Sequence, residues 1–301
     1  MSRSNWKFTQ VAGPYGLTEG PIWDGEALLF TEVPGSRILR YDPCSNKTEV
    51  FREGTNNANG LMLDKNGRLY ACEGGGRCIV RYGPNNERVV LAHQIEGKKF
   101  NSPNDLAIDP KGRIWFTDPH YKATNEGVYS TIVGEREINH ESVYRLTVRH
   151  NHGWSIQRMT YDTTKPNGIL ISLDSKTLYV AQSEYGKDAA CELRAYPILD
   201  DDRLGRHKVL HNFYPHRGID GMCLDSGGNI VAVAGWERSG PGGLVYLFNP
   251  KGRVLETHPT PCSRPTNCSW GDEDLQTLYL TSYCGGLFRT RTPLKGSLFS
   301  P

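Results

Sequence analysis

Six segments of this chain open on a side chain that ends in oxygen: Glu19, Asn59, Asn104, Asn167, Asp220 and Asn267. Carboxylates and carboxamides are hard donors. A set drawn from them, without paired His or Cys, suits Ca²⁺, Mg²⁺ or Mn²⁺ better than zinc. Turn chemistry explains Asn or Asp at the start of a strand, because their short side chains bond nearby backbone. It does not explain Glu19. Two carboxylates and several carboxamides converging on a narrow space would repel one another and lose hydration unless a cation compensated them. The expectation is one divalent metal ion, Ca²⁺ first, with Mg²⁺, Mn²⁺ or Zn²⁺ as alternatives, its remaining shell open to water and to a substrate oxygen.

The elements that must bring these residues together are legible as a repeat. Asn59-Gly60-Leu61-Met62-Leu63-Asp64 is followed by an Asn66-Gly67 turn and Arg68 to Glu73; Asn104 to Asp109 is followed by Lys111-Gly112 and Arg113 to Asp118. The unit returns at Asn167 to Gln182, Asp220 to Ala234, Asn267 to Ser282 and Glu19 to Glu32. Each copy reads as an apolar strand, a tight turn and a second apolar strand. A third strand is expected at Arg37 to Tyr41, Cys78 to Tyr82, Ser142 to Leu146, Glu192 to Tyr196, Gly243 to Phe248 and Gly286 to Arg289. The opening residues lie about 40, 45, 63, 53 and 47 residues apart, the spacing of propeller blades. The reading is an all-β six-bladed β-propeller spanning residues 1–301 as one domain. An array of β-sandwich hairpins is the alternative, disfavoured because six near-equal units close naturally into a ring with short edges. The long third interval implies an insertion, between Tyr121 and Ser142 or at Arg149 to Trp154. Lys7 to Val11 is expected to supply the outer strand of the last blade, and residues from Thr292 onward a tail.

In such a ring the first strand of each blade is innermost, so the six opening residues encircle the axis. The second strands end on the same face, at Glu32, Glu73, Asp118, Gln182, Ala234 and Ser282, forming a second polar layer. Tyr121, Trp236 and Tyr283 would wall the mouth, and His120 could donate to a substrate or move a proton.

Thr18-Glu19-Gly20-Pro21 with Trp23, Asn101-Ser102-Pro103-Asn104-Asp105-Leu106, Pro166-Asn167-Gly168 and Gly218-Ile219-Asp220-Gly221-Met222 together resemble the senescence marker protein (regucalcin) and gluconolactonase family, on the microbial gluconolactonase side. The resemblance covers nearly the whole chain. It implies that Glu19, Asn104, Asn167 and Asp220 hold the metal, that Asn59 and Asn267 line the channel, and that Asp220 orients or deprotonates the attacking water. It also implies a gluconolactonase-like activity, the hydrolysis of an aldonolactone such as glucono-1,5-lactone to its acid. The regucalcin branch places an Arg two residues before the second ligand; Ser102 stands there instead. The expected substrate contacts are therefore Asn59, Ser102, Asp118, His120, Tyr121, Trp236 and Asn267. A phosphotriesterase-like or other ester hydrolase on the same scaffold is one alternative, a non-catalytic calcium-binding propeller another.

Composition narrows the partners. With 35 basic and 33 acidic residues the net charge is +2, so no electrostatic footprint suggests nucleic acid or an anionic membrane. The expected partner is a small lactone, and the expected assembly a monomer or weak homodimer. Met1 to Phe8 is polar and no apolar run reaches membrane-spanning length, so a cytoplasmic location is expected. The eight cysteines form no C-x-x-C pair; most should be free thiols, with Cys72 and Cys78 close enough to pair. No Gly-x-Ser-x-Gly elbow occurs, and Gly74-Gly75-Gly76 lacks the Lys-Ser or Lys-Thr of a phosphate loop.

Overall fold

The computed structural model describes residues 5–121, 135–149, 153–184 and 189–297. Six four-stranded antiparallel sheets make six blades. Blade I is built from Thr18–Trp23, Leu28–Glu32, Arg37–Asp42 and Lys47–Glu53, and blade II from Ala58–Leu63, Leu69–Glu73, Cys78–Tyr82 and Arg88–Ala92. Blade III uses Leu106–Ile108, Ile114–Asp118, Ser142–Val148 and Trp154–Arg158; blade IV uses Pro166–Ile171, Thr177–Ser183, Cys191–Pro197 and Lys208–Asn212. Blade V comprises Ile219–Leu224, Ile230–Ala234, Leu244–Phe248 and Val254–Pro259. Blade VI is Pro265–Gly271, Thr277–Ser282 and Leu287–Arg291, completed on its outside by Thr9–Ala12. This N-terminal strand pairs Thr9 with Arg289 and Gln10 with Phe288, so the ring is latched by hydrogen bonds between its two ends.

Burial follows the radial order. The first two strands of blade I are buried throughout, whereas its outermost strand is largely exposed. Between blades the apolar side chains form six separate clusters, one at each interface. Trp23, Phe30 and Tyr41 of blade I meet Tyr279 and Leu287 of blade VI, and Ile219, Ala232 and Phe248 of blade V meet Tyr179 and Leu193 of blade IV. The innermost strands touch their neighbours in a closed cycle, including blade VI against blade I. Each blade thus buries its two faces against different partners, which is why no blade supplies a core alone.

The inner hairpins owe their turns to one recurring device. Asp64 Oδ1 accepts the backbone N–H groups of Asn66 and Arg68, while Gly67 takes a φ of 72° that a side chain would oppose. Asp109 and Asp225 repeat the arrangement with Lys111 and Arg113, and with Gly227 and Asn229.

Three findings go beyond the sequence reading. A two-stranded hairpin, Gln94–Ile95 with Lys98–Lys99, lies between blades II and III. Residues 292–297 pack onto the barrel end opposite the strand openings: Ser226 N bonds Lys295 O, and Ser297 N bonds Leu224 O. Cys72 and Cys78, offered as a pair, are both free and buried. The expected insertion falls largely on residues 122–134 and 150–152, outside the described residues. No helix among the described residues is long and apolar enough to cross a membrane.

Candidate functional site at the axis

In five blades the pairing of first and second strands breaks register at the opening residue, between Glu19 and Ile22, Ala58 and Leu61, Pro166 and Ile169, Ile219 and Met222, and Pro265 and Cys268. A bulge bends the strand and re-aims a side chain. In blade III the regular strand starts only after Asn104 and Asp105, which bond Thr117 through their backbone. The residue after each bulged position is commonly glycine because the strands converge there. A Cβ on Gly60 would lie 2.5 Å from Asp105 Oδ1, and one on Gly168 2.5 Å from Asp220 O.

The opening residues consequently meet at the axis. Glu19 is 4% exposed, Asn104 and Asn167 6%, Asn267 7%. The Asn167 amide bonds the Asp220 carboxylate, and Asn167 Nδ2 donates to Tyr121 Oη at 3.1 Å. The Asn267 side chain bonds both Glu19 and Asp105, while its Oδ1 accepts from Cys268 N. Asn104 joins through its carbonyl, which accepts from Gly60 N at 2.8 Å. The Asn59 carbonyl accepts from Thr31 Oγ1 at 3.0 Å.

Burial drives the Glu19 carboxyl well above its ordinary range, and the negative charges of Asp220 and Asp105 push it further. Asp105 is raised to about 7, again chiefly by burial. Burial raises Asp220 as well, but Arg217 and Arg264 oppose the shift. Asp220 is the carboxylate paired with the Arg217 guanidinium, while Glu19 is met by Gly20 N and the Asn267 side chain.

The second polar layer is not an open rim. In all six blades the end of the second strand clamps the residue three positions before the axial one. Gly16 N donates to Glu32, Asn56 Nδ2 to Glu73, Asn101 N to Asp118 and Thr164 N to Gln182. In blades V and VI, where Ala234 and Ser282 offer no such acceptor, the backbone of the next residue serves: Gly235 N to Arg217 O and Tyr283 N to Arg264 O. Asp118, expected to face substrate, is fully buried with its two oxygens on Asn101 N and Ser102 N. It holds the loop that delivers Asn104. Ser102 is itself buried. His120 sits at the margin of the site, its N–H on Glu141 and its carbonyl accepting from Lys165 Nζ. Trp236 stands beside Arg264, 4.9 Å from ring centroid to guanidinium carbon.

Three residues at this site escaped the sequence reading. Asp105 occupies the position where four copies carry Gly20, Gly60, Gly168 and Gly221, and that departure was its signal. Arg217 and Arg264 occupy equivalent clamp positions in successive blades, a correspondence visible only once the axial residues are aligned.

The donor set fits a hard divalent cation. Among the described residues no three His, Cys, Asp or Glu side chains form a metal cluster, so two carboxylates, Glu19 and Asp220, would need the carboxamide oxygens of Asn104 and Asn167 to complete a shell. Buried like charges that raise one another's proton affinity are what such an ion relieves. From the opposite face a cavity of about 450 Å³ reaches Asp105 and Asn267 between Pro21, Leu61, Ile169 and Met222; Glu19 and Asp220 do not line it.

Comparison with known proteins places the chain in a family. The family profile described as SMP-30/Gluconolactonase/LRE-like region matches residues 17–284. A gluconolactonase of Zymomonas mobilis is 28% identical over 95% of this chain and 81% of its own length. A 6-deoxy-6-sulfogluconolactonase of Pseudomonas putida is 26% identical over 90% of this chain and 85% of its own. The solved structure of a gluconolactonase from Xanthomonas campestris superposes with a TM-score of 0.80 at 30% identity, covering 96% of this chain and 90% of that one.

Proposed function

The chain belongs to the SMP-30/gluconolactonase/LRE-like family, and from that premise we propose that it hydrolyses a sugar lactone to the corresponding acid with the help of one divalent metal ion. The observation that carries the reading is the meeting of Glu19, Asn167 and Asp220 near the axis, drawn from three blades, with Glu19 and Asn167 buried and the Asp220 side chain 12% exposed. Relatives named for gluconolactone and for its 6-sulfo derivative bound the substrate class to sugar lactones.

Glu19, Asn104, Asn167 and Asp220 would hold the ion, with Ca²⁺ the first candidate for an oxygen-only set. When bound, such an ion supplies Lewis-acid polarisation of the lactone carbonyl and charge stabilisation of the developing oxyanion. The residues do the rest. Asp220, positioned by the Arg217 guanidinium, orients a water and accepts its proton as the new C–O bond forms. The ring C–O bond then breaks, the ring oxygen takes a proton to become a hydroxyl, and the products are the open acid and no cleaved fragment. Tyr121, on the Asn167 amide, and Trp236 bound the space in which the sugar lies.

The test is to strip the protein with chelator, restore single divalent ions, and follow acid release from glucono-1,5-lactone. Activity should vanish on stripping and return with Ca²⁺ or a similar ion. Glu19→Gln and Asp220→Asn should each lower kcat/KM by more than about 100-fold; unchanged rates and metal dependence in both would refute the assignment.

A further inference from the structure

Arg264 is the cation at this site with the least accounted role. Its counterpart in blade V, Arg217, has both terminal nitrogens engaged: Nη1 donates to Gly235 O and Pro265 O, and Nη2 meets Asp220, while its Nε, like that of Arg264, is buried. Arg264 is held by flat surfaces instead. Its guanidinium carbon lies 3.6 Å from the Tyr283 ring centroid and 4.9 Å from that of Trp236. Its Nε is buried and has no hydrogen-bond partner among the described residues. Stacking on two aromatic faces fixes the plane of a guanidinium while leaving its edge donors available. A buried donor left unpaired costs stability, and a group that meets it in the bound state recovers that cost.

The position borders the axial site. Arg264 lies three residues before Asn267, whose amide bonds Glu19, and its charge is felt at Asp220. Its partner rings belong to the loops that follow the second strands of blades V and VI, on the face where the axial residues open. Exposed Arg238 also stacks on Trp236, at 5.5 Å. Arg217 answers Asp220; among the described residues Arg264 forms no ion pair with a carboxylate of its own.

Resting on the lactonase reading, we infer that Arg264 receives an anionic substituent of the substrate, so that the preferred lactone carries a carboxylate, phosphate or sulfonate away from the ester that is cleaved. The shared chemistry is an oxyanion with two oxygens presented to a guanidinium edge, the bidentate geometry for which arginine is suited. Arg264 is then a specificity-determining residue, acting in binding and not in the bond-breaking step.

The experiment compares kcat/KM of the metal-loaded full chain for glucono-1,5-lactone, its 6-phosphate, its 6-sulfo derivative and a glucaric acid lactone. At least one anionic lactone should exceed the neutral one by about 10-fold or more, and the arm that does so identifies the oxyanion. Arg264→Gln should bring that ratio close to one by raising KM for the anionic substrate, with Arg264→Lys intermediate; Arg203→Gln, an exposed site on blade IV, should leave the ratio as it is. A neutral lactone hydrolysed as well as or better than every anionic one, or an Arg264→Gln ratio equal to that of the wild type, overturns the inference while leaving the lactonase reading intact. If no lactone is hydrolysed, the lactonase reading falls, and calorimetric binding of 6-phosphogluconate decides the rest: binding lost in Arg264→Gln upholds the role of Arg264, and binding absent or unaltered overturns it.

Discussion

Asn267 connects two buried carboxylates from different blades, Glu19 and Asp105, through one side-chain amide. Removing it leaves Glu19 free to turn and takes a donor from both. Asn267→Ala should therefore weaken apparent metal affinity by roughly 10- to 100-fold, read from a metal titration of activity, with a smaller loss of rate at saturating metal. Asp118 makes a different prediction. Its carboxyl is pushed up to about 7, burial outweighing the N–H donors of Asn101 and Ser102, whereas in the unfolded chain it ionises near 3.9, roughly. Between those values the folded protein holds a proton that the unfolded chain has lost. Its contribution to stability is thus complete below about pH 4 and disappears as pH rises to about 7. Subtracting the unfolding free energy of Asp118→Asn from that of the wild type should give a difference that falls across this window and levels off above it. The ring of opening residues was readable because an acid or amide recurs at all six openings, followed by glycine in four of them. Arg217 and Arg264 were not, because an Arg recurs at that position in only two copies and nothing local tells what it meets.

At the scale of elements, the clamp at the end of each second strand sets the height at which the axial residue is delivered. Blade II shows the cost of this device. Glu73 is fully buried, and Arg88 answers it from the outer strand while Tyr82 Oη and Asn56 Nδ2 complete its shell. Arg88→Ala strands a buried carboxylate and should destabilise the fold by about 3–5 kcal/mol, measured by chemical denaturation, whereas the matched change at exposed Arg203 should be close to neutral. The inner three strands of each blade were legible from alternating apolar runs and Asp-Gly turns. The outer strands, such as Lys47–Glu53 and Lys208–Asn212, were not individually placed: they face water, so their residues are chosen little by burial.

The whole molecule depends on closure. Thr9–Ala12 completes blade VI, so the two ends of the chain are joined by a strand ladder and not by a covalent bond. Deleting residues up to Ala12 would open Leu287–Arg291 as a free edge. The expected outcome is a lower thermal midpoint together with self-association through that edge, followed by thermal melting and light scattering; a monomeric protein with an unchanged midpoint would show that the latch is dispensable. The segment expected to form it, Lys7 to Val11, overlaps the observed strand Thr9–Ala12.

Sequence alone determined the number of blades and the turns of the inner hairpins, since these rest on a local pattern repeated along the chain. Only the tertiary structure decided which charges meet. Arg217 finds Asp220, Arg264 lies between Trp236 and Tyr283, and one asparagine bridges Glu19 and Asp105. Such encounters join blades tens to hundreds of residues apart, and their partners are set by the closing of the ring, for which no local spacing is a substitute.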